Sequence, residues 1–170
     1  MVGIKNRWLA TGLSTLMAAG LVVGAGAVTV AQDEECPPAE VTGEIPDLTE
    51  ELGRKPKVGL IMKSLANEFF MLMDAGARAF AEENADLFDF ETVGMSNETN
   101  FAEQVELIEN FITQQYDVIV IAPADSRAMV ETLSRAIDQG ITVVNIDVSL
   151  DEQAKEEAGV ELAFFGPDNR

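Results

Sequence analysis

The stretch "KSLANEFF" holds side chains that could bind a small molecule directly. The amide of Asn67 can hydrogen-bond hydroxyl groups, and the rings of Phe69 and Phe70 can pack against an apolar C–H face. Successive helix residues point about 100° apart, so we expect one ring to pack in a core and the other to face a cleft. The alternative role for Asn67 is that of a helix cap. Lys63 is either a point charge for an anion or a solvated lysine with an apolar stem.

Three aspartates extend this set. Asp147 ends the apolar run "ITVVNID", and its carboxylate can accept two hydroxyl hydrogen bonds at once. Its alternative role is to begin a turn. Asp125, in "PADS", is expected to cap a helix, with a ligand contact as the alternative, while Asp168, in "GPDN", fits either a turn or a ligand contact. Together these side chains suit a ligand that carries both hydroxyl groups and an apolar C–H face.

The apolar pattern predicts the elements that must position these residues. Short apolar runs rich in β-branched residues alternate with segments of helical spacing, in the order βαβαβαββ. This alternation predicts an α/β fold with a doubly wound parallel sheet, in which ligands bind beyond the carboxyl ends of the strands. The predicted strands are 57–62, 89–93, 117–123, 141–147 and 160–166, the predicted helices run from about Glu68 to Asn84, after Asn100 and after Asp125, and an acidic connection over 149–158 precedes the last strand.

Apolar residues at helical spacing predict which side of each helix faces the sheet. The predicted inward residues are Phe69, Met73, Gly76, Ala77 and Phe80 in the first helix, Phe101, Val105, Ile108 and Ile112 in the second, and Met129, Leu133, Ala136 and Ile137 in the third. Gly140 is expected to end the third helix, because glycine readily adopts the left-handed conformation that follows a helix.

Composition and motifs exclude several classes of function. Neither of the glycine patterns that cradle a phosphate follows the first strand. The chain has no histidine and one cysteine, which removes the usual zinc sites and Ser-His or Cys-His nucleophiles, so we expect no enzyme, no metal and no cofactor. Lys and Arg number 11 against 30 Asp and Glu, and a net charge of −19 argues against a nucleic-acid partner.

The amino-terminal segment predicts export. Lys5 and Arg7 precede a long uncharged run that ends just before "QDEE", a pattern typical of a secretory signal peptide cleaved near Ala31. An uncleaved membrane anchor is the alternative, since the run approaches spanning length. The predicted divisions of the chain are a signal peptide over 1–31, an acidic linker with prolines over 32–56, and a folded domain over 57–170.

Three stretches carry a resemblance to a known family. They are "VGLIMKSLANEFF", "DVIVIAPADSRAMVETLSRAIDQGITVVNID" and "FFGPDN", and they cover nearly all of the chain from Lys57 onward, in order and at family spacing. The chain resembles the type I periplasmic solute-binding proteins of ABC sugar importers, in the ribose-binding-like group. The resemblance implies a two-lobed clamp that closes on a sugar or polyol, with hinge closure as the signal to a membrane permease.

The resemblance also implies roles for individual residues. By the family pattern, Asn67, Phe69 and Phe70 contact the ligand, one ring stacking on it and the other shaping the wall. Asp147 would bind hydroxyls, and Lys63 falls at a position that touches the ligand in some members.

Two positions depart from the ribose-binding pattern. Val148 stands where an arginine commonly follows the aspartate of the fourth strand, and Ala122 stands where a polar amide can occur. A pentose, a hexose, a deoxy sugar and an acyclic polyol therefore all remain candidate ligands.

The resemblance further implies a location, partners and a partial architecture. Family members run to roughly twice this length, so we expect 57–170 to be the amino-terminal lobe of a periplasmic sugar-binding domain, in a truncated chain. The full-length protein would be a monomer that delivers its sugar to an ABC permease. The alternative is a periplasmic sugar sensor that presents its ligand to a chemoreceptor or sensor kinase. A sugar-responsive repressor shares the fold but would need a helix-turn-helix and basic residues at its amino terminus.

Overall fold

The structure, a computed structural model, describes residues 45–166. The predicted signal peptide with its cleavage site near Ala31, the single cysteine Cys36, and Asp168 with its two alternative roles lie outside these residues. Within the part of the chain that is described, no helix is long and apolar enough to cross a membrane.

Five parallel strands form one sheet in the order β2-β1-β3-β4-β5. The strands are β1 (Lys57–Ser64), β2 (Asp89–Met95), β3 (Val118–Ile121), β4 (Thr142–Ile146) and β5 (Ala163–Phe165), and the helices are α1 (Thr49–Leu52), α2 (Glu68–Glu83), α3 (Phe101–Thr113), α4 (Val130–Asp138) and α5 (Glu152–Ala158). Because β1 lies between β2 and β3, the chain winds first to one side and then to the other. The predicted α/β fold with a doubly wound parallel sheet is confirmed.

One face of the sheet is covered by α3, α4 and α5. Ile61 and Ile119 of the sheet are buried in one cluster with Phe111 of α3 and Leu133 of α4. Gly59 allows this close approach, because a Cβ at that position would lie only 2.3 Å from Cε2 of Phe111. The residues of the apolar runs that point toward these helices are therefore buried, as expected for strands beneath helices.

The other face carries α2. Phe70, Met73 and Ala77 of this helix pack against Leu60 and Met62 of β1. These three helix residues follow one stripe at spacings of three and four, which is the pattern of a helix with one buried side. The two faces thus have separate clusters of buried side chains on either side of β1.

The inward side of α2 differs in part from the prediction. Met73 and Ala77 pack inward as expected, but Phe69 and Phe80 are exposed and Phe70 takes the buried position. Two overlapping apolar stripes run along this helix, and helical spacing alone does not distinguish between them. In the folded chain, the stripe that contains Phe70 is the one that packs against the sheet.

The predicted inward sides of α3 and α4 are largely confirmed. Ile108 and Ile112 of α3 are buried, as are Met129 and Leu133 in and just before α4. Phe101 is an exception: it is exposed because it occupies the first position of α3, at the edge of the layer. Helical spacing therefore predicted the middle of each helix better than its ends.

An additional helix, α5, occupies part of the acidic connection that precedes the last strand. Asp151 caps its start by accepting the backbone N–H of Ala154, and Gly159 ends it with a φ of 67°. Ala154 packs against the larger core, but the rest of the helix is mostly charged. A helix with so few apolar residues has no periodicity to predict it. The order from β1 onward is therefore βαβαβαβαβ.

The segment before β1 is also more structured than the linker expected from its sequence. It contains α1, and the Nη1 and Nη2 atoms of Arg54 donate to the two carboxylate oxygens of Asp117 over 2.7 and 2.9 Å. Oδ2 of Asp117 also accepts the backbone N–H of Lys57 over 2.7 Å. The bond from Arg54, followed by that from Lys57, lowers the pKa of Asp117. These contacts attach the segment to the amino edge of the sheet.

Candidate ligand-binding site

Four of the five predicted site residues meet at the carboxyl edge of the sheet. Nζ of Lys63, near the carboxyl end of β1, lies 2.7 Å from Oδ2 of Asp147, which follows β4. The same Nζ lies 5.6 Å from the centroid of the Phe70 ring. The rings of Phe69 and Phe70 stand edge to face with their centroids 5.2 Å apart. This edge therefore combines an ammonium, a carboxylate and aromatic rings, which can bind hydroxyl groups and apolar C–H faces.

Asp147 has an unusual backbone conformation. Its φ of 64° lies in the left-handed region, which is uncommon for residues other than glycine, although aspartate tolerates it better than most. The N–H of Val148 donates to the carbonyl of Ile146 over 2.8 Å, so the chain turns tightly around Asp147. Such strained residues cluster at ligand sites, where the surrounding structure holds them in place.

The contact between Lys63 and Asp147 is an ion pair without an aligned hydrogen bond. Oδ2 of Asp147 is buried and receives no hydrogen bond of good geometry from the described residues, although Nζ of Lys63 is only 2.7 Å away. The distance establishes the attraction between the charges, whereas a hydrogen bond also requires direction. The two side chains keep 16% and 17% of their surface exposed, so the carboxylate can still be reached by a hydroxyl donor.

The two phenylalanines have different environments. The Phe70 side chain is 4% exposed and belongs to the core between α2 and the sheet, whereas Phe69 is 56% exposed. The sequence predicted one core ring and one open ring without saying which was which. In the structure Phe70 is the core ring and Phe69 is the exposed ring.

The side-chain amide of Asn67 forms hydrogen bonds with other groups of the protein. Its Oδ1 accepts the backbone N–H of Phe69 over 2.9 Å, which makes it the cap of α2. Its Nδ2 donates to Oε1 of Glu98 over 2.6 Å. The capping role that the sequence left as an alternative is confirmed, and a ligand would have to displace Glu98 in order to use the amide N–H.

Asp125 stabilises a turn at the same edge. Its Oδ1 accepts the backbone N–H groups of Ala128 and Arg127 over 2.7 and 2.8 Å, and these bonds lower its pKa. Because α4 begins only at Val130, Asp125 caps this preceding turn rather than α4 itself, which corrects the prediction.

A buried glutamine that the sequence analysis did not single out holds the loop after β3. The side chain of Gln104 is fully buried in α3. Its Nε2 donates to the carbonyl of Ala122 over 2.9 Å, and its Oε1 accepts the N–H of Ala124 over 2.8 Å. One side chain thus satisfies both backbone groups that flank Pro123.

A buried asparagine does the same for the loop after β4. Oδ1 of Asn145 accepts the N–H of Leu150 over 2.9 Å, and Nδ2 donates to the carbonyl of Val148 over 2.8 Å. The closed loop carries Asp147. A polar amide inside the otherwise apolar stretch "ITVVNI" is the sequence signal that could have identified Asn145. Gln104 has no such signal, because it lies beside Glu103 in a helix with several charged residues.

A carboxylate holds the loop after β2. Glu103 accepts the hydroxyl of Ser96 over 2.6 Å and its backbone N–H over 3.0 Å, and also accepts Nδ2 of Asn100 over 2.9 Å. These bonds, those from Ser96 above all, lower the pKa of Glu103. Three loops at the carboxyl edge are therefore fixed by side chains before any ligand arrives.

A family model for the periplasmic binding protein domain matches residues 58–170. The chain belongs to this family. Its parallel sheet matches the fold of solved periplasmic binding proteins. The family and the relatives described below are binding proteins, in agreement with the expectation that this chain is not an enzyme.

Two curated relatives share extended similarity with this chain. The D-ribose/D-allose-binding protein of Pseudomonas aeruginosa is 45% identical over 120 residues, which are 71% of this chain and 38% of that protein. The D-allose-binding periplasmic protein of Escherichia coli is 30% identical over 114 residues, which are 65% of this chain and 35% of that protein. The chain therefore spans well under half the length of these relatives.

Two solved structures of solute-binding proteins share the fold and part of the sequence of this chain. A solute-binding protein of an ABC transporter from Burkholderia multivorans has 48% identity and a TM-score of 0.67, over 68% of this chain and 41% of that one. A solute-binding protein from Actinobacillus succinogenes with bound D-allose has 35% identity and a TM-score of 0.64, over 68% and 40%.

Proposed function

We propose that this chain supplies one lobe of an extracytoplasmic solute-binding protein of an ABC importer. The complete protein would bind a sugar or polyol between two lobes and deliver it to a membrane permease. The observation that carries the proposal is the meeting of Lys63, Phe69 and Asp147 at the carboxyl edge of the sheet, in a chain of the periplasmic binding protein family. Export would depend on the signal peptide proposed for 1–31, and the protein would act in the periplasm.

Each group in the proposed site has a distinct task. The carboxylate of Asp147 accepts hydroxyl hydrogen bonds, and bonds to a charged group contribute about 1.5–3 kcal/mol each. Lys63 orients that carboxylate and offers its other N–H groups to sugar oxygens. The open face of Phe69 packs on the C–H face of the sugar ring.

Phe70 and Asn67 would support the same site. Phe70 shapes the wall, since it lies beneath Lys63 and holds Phe69 edge to face. Asn67 would donate to a hydroxyl after Glu98 releases its Nδ2. We propose a sugar of five or six carbons as the ligand, and D-ribose and D-allose should be tested first because the Pseudomonas aeruginosa relative is a D-ribose/D-allose-binding protein.

The test is an NMR titration of the 170-residue chain with D-ribose, D-allose and a panel of other pentoses, hexoses and polyols. We expect shift changes confined to the loops at the carboxyl edge, around 63–70 and 147–150, with at least one sugar at millimolar concentration. If no sugar in the panel perturbs these loops, or if the changes cluster at the amino edge around Asp117, the proposed function is wrong.

A further inference from the structure

The turn around Asp147 is strained. The N–H of Val148 donates to the carbonyl of Ile146 over 2.8 Å, so the hydrogen bond closes a turn of three residues with Asp147 in the middle. The φ of Asp147 is 64°, and a three-residue turn around a residue of positive φ is the less common and strained form. Such a conformation persists only where neighbouring groups fix it. The groups that hold Asp147 in this shape therefore also decide where its carboxylate lies.

A single buried amide bonds the backbone on both sides of Asp147. Nδ2 of Asn145 donates to the carbonyl of Ile146 over 3.2 Å and to that of Val148 over 2.8 Å. Oδ1 of Asn145 accepts the N–H of Leu150 over 2.9 Å, and Leu150 is itself 1% exposed. One side chain thus ties the residue before Asp147 and the residue after it to a buried anchor.

The end of β5 packs closely against the same turn. A Cβ at Gly166 would lie 3.2 Å from the carbonyl oxygen of Asp147 and 2.4 Å from Cζ of Phe164. The carbonyl of Asp147 therefore has little room in which to rotate. Gly166 restricts the space available to the turn, whereas Asn145 supplies directed hydrogen bonds.

Both partners of the ion pair between Lys63 and Asp147 lie where regular strand geometry ends. The pairing of β1 with β2 shifts by one residue between Met62 and Ser64, so Lys63 occupies a bulge, a feature that re-aims a side chain. Asp147 is aimed by its turn. A change of its φ to the usual negative range would redirect its Cα–Cβ bond, and the 2.7 Å contact between its Oδ2 and Nζ of Lys63 would be lost.

Asn145 acts on this carboxylate from within the core. Its side chain is 1% exposed, and Val143, which points to the same side of β4, belongs to the core shared with α3 and α4. A sugar at the carboxyl edge does not reach the amide of Asn145. Its influence on binding therefore passes through Asp147.

We propose that Asn145 is a positioning residue of the sugar site. Its amide holds Asp147 in the left-handed conformation before any ligand arrives, and so keeps the carboxylate beside Lys63 and able to accept a sugar hydroxyl. This role rests on the proposed function, since the ligand is the sugar of that site. A carboxylate that is already ordered binds without the entropic cost of ordering it, so loss of the Asn145 amide should weaken sugar binding by about three- to tenfold.

Asn145→Leu tests this role in the 170-residue chain, because leucine is close to asparagine in size but its side chain forms no hydrogen bonds. The first measurement, made without sugar, is the nuclear Overhauser effect (NOE) between the amide proton and Hα of Asp147, which is strong where φ is positive because the two protons are then close. We expect a strong NOE in the unsubstituted chain and a weak one in the variant. The second measurement is the NMR titration with the sugar that binds the unsubstituted chain most tightly, and this affinity should fall at least about threefold in the variant.

Thr92→Val is the matched control. Thr92 is a buried polar residue of β2, two strands away from β4, and its hydroxyl donates to Oδ1 of Asp74 over 2.7 Å. The substitution removes a buried hydrogen bond with little change of shape, so it should destabilise the fold while leaving both the Asp147 NOE and the affinity unchanged. Urea denaturation of both variants shows whether any loss of affinity comes only from partial unfolding.

A double substitution shows whether Asn145 acts through Asp147. In an Asp147→Asn background, Asn145→Leu should cause little further loss of affinity, because the carboxylate that it positions is already absent. An equal loss in both backgrounds would mean that Asn145 affects the sugar by another route, and the proposal would be wrong.

A second variant replaces Asn145→Leu if that chain does not fold. Asn145→Thr suits a strand, and its hydroxyl can keep one of the three hydrogen bonds, so the same changes should follow in smaller amount. A folded variant that retains the strong NOE or the original affinity overturns the proposal, as does a weak NOE in the unsubstituted chain. If no sugar perturbs the unsubstituted chain, the proposed function fails, and the NOE alone then decides whether Asn145 fixes Asp147. The two failures are therefore distinguishable.

Discussion

At the scale of the residue, the candidate site is built around one ion pair. Lys63 and Asp147 contact each other in the absence of a ligand, and both side chains are mostly buried. Removing either partner would leave the other charge in a poorly solvated position, which is costly. The pair thus keeps the carboxylate of Asp147 in one orientation. A sugar hydroxyl can then bind it without first having to order the side chain.

Asp147→Asn should weaken sugar binding. The substitution keeps the shape of the side chain but removes the charge that strengthens a hydroxyl hydrogen bond, so we expect at least about a tenfold loss of affinity. The NMR titration described above measures it. Asp138→Asn, at the exposed end of α4, is the control and should not change the affinity. An unaltered affinity in Asp147→Asn would remove this carboxylate from the site.

Substitutions of Phe69 and Phe70 should affect sugar binding and the free energy of unfolding differently. Phe70→Ala removes a buried ring and should lower the free energy of unfolding by about 3–5 kcal/mol. Phe69→Ala removes an exposed ring and should cost less than about 1 kcal/mol, while weakening sugar binding. Urea denaturation and the sugar titration measure the two effects. The reverse order of the two stabilities would contradict the placement of the rings.

At the scale of the element, buried side chains hold the loops that follow the strands. Gln104 reaches from α3 to the loop after β3, and Asn145 closes the loop after β4 from within its own strand. Each bonds backbone groups that have no partner in the sheet. Because a buried backbone group without a hydrogen bond is costly, these amides fix the loop conformations as well as stabilise the lobe.

Gln104→Leu should destabilise the lobe by about 1–3 kcal/mol. The substitution keeps most of the side-chain volume but leaves the carbonyl of Ala122 and the N–H of Ala124 without their partners. Gln114→Leu, at the exposed end of the same helix, is the matched control and should change the free energy of unfolding by less than about 0.5 kcal/mol. Equal effects of the two substitutions in urea denaturation would show that the buried amide is not needed.

The contact between Arg54 and Asp117 should make stability depend on pH in one direction. The pKa of Asp117 is lowered in the folded state, mainly by the hydrogen bond from Arg54. A lowered pKa stabilises the fold above the ordinary aspartate pKa of about 4, and this stabilisation is lost as the pH falls through the folded-state value. Arg54→Ala should therefore lower the free energy of unfolding at pH 7, and the difference from the unsubstituted chain should shrink at low pH.

Urea denaturation across a pH series measures this dependence. In an Asp117→Asn background, Arg54→Ala should no longer produce a pH-dependent difference, because the titrating carboxylate is absent. A difference that persists unchanged in that background would assign the effect of Arg54 to another contact.

At the scale of the whole molecule, the described lobe has one complete layer and one partial layer of helices. Three helices cover one face, while among the described residues only α2 covers the other. The candidate site is likewise on one side only, because the described residues form a single sheet edge rather than an enclosed cleft. Both features agree with a chain that matches 38% of the Pseudomonas aeruginosa relative.

The affinity of this chain alone for sugar should consequently be low. A site that contacts only one side of a sugar has fewer hydrogen bonds with which to offset the cost of ordering it. We expect a dissociation constant of about 1 mM or weaker for D-ribose or D-allose, which corresponds to about −4 kcal/mol. The concentration dependence of the NMR shifts gives this value, and a micromolar constant would mean that the chain forms a complete site by itself.

Much of the fold could be predicted from the sequence. Uninterrupted apolar runs such as "DVIVIAP" are typical of strands in a parallel sheet covered by helices, and their alternation with helical spacing implies such a sheet. The helices α1 and α5 were not predicted, because each is short and carries few apolar residues, so no periodicity marks it. Their formation depends on capping and on contacts with the rest of the lobe.

The sequence by itself determined which chemical groups lie at the carboxyl ends of the strands, because in a parallel sheet these ends share one edge. Only the tertiary structure decided how those groups are used. It paired Lys63 with Asp147, buried Phe70 rather than Phe69, and committed the amide of Asn67 to α2 and Glu98. These outcomes depend on distances between segments remote in the chain. Residue type and spacing do not encode such distances until the sheet brings the segments together.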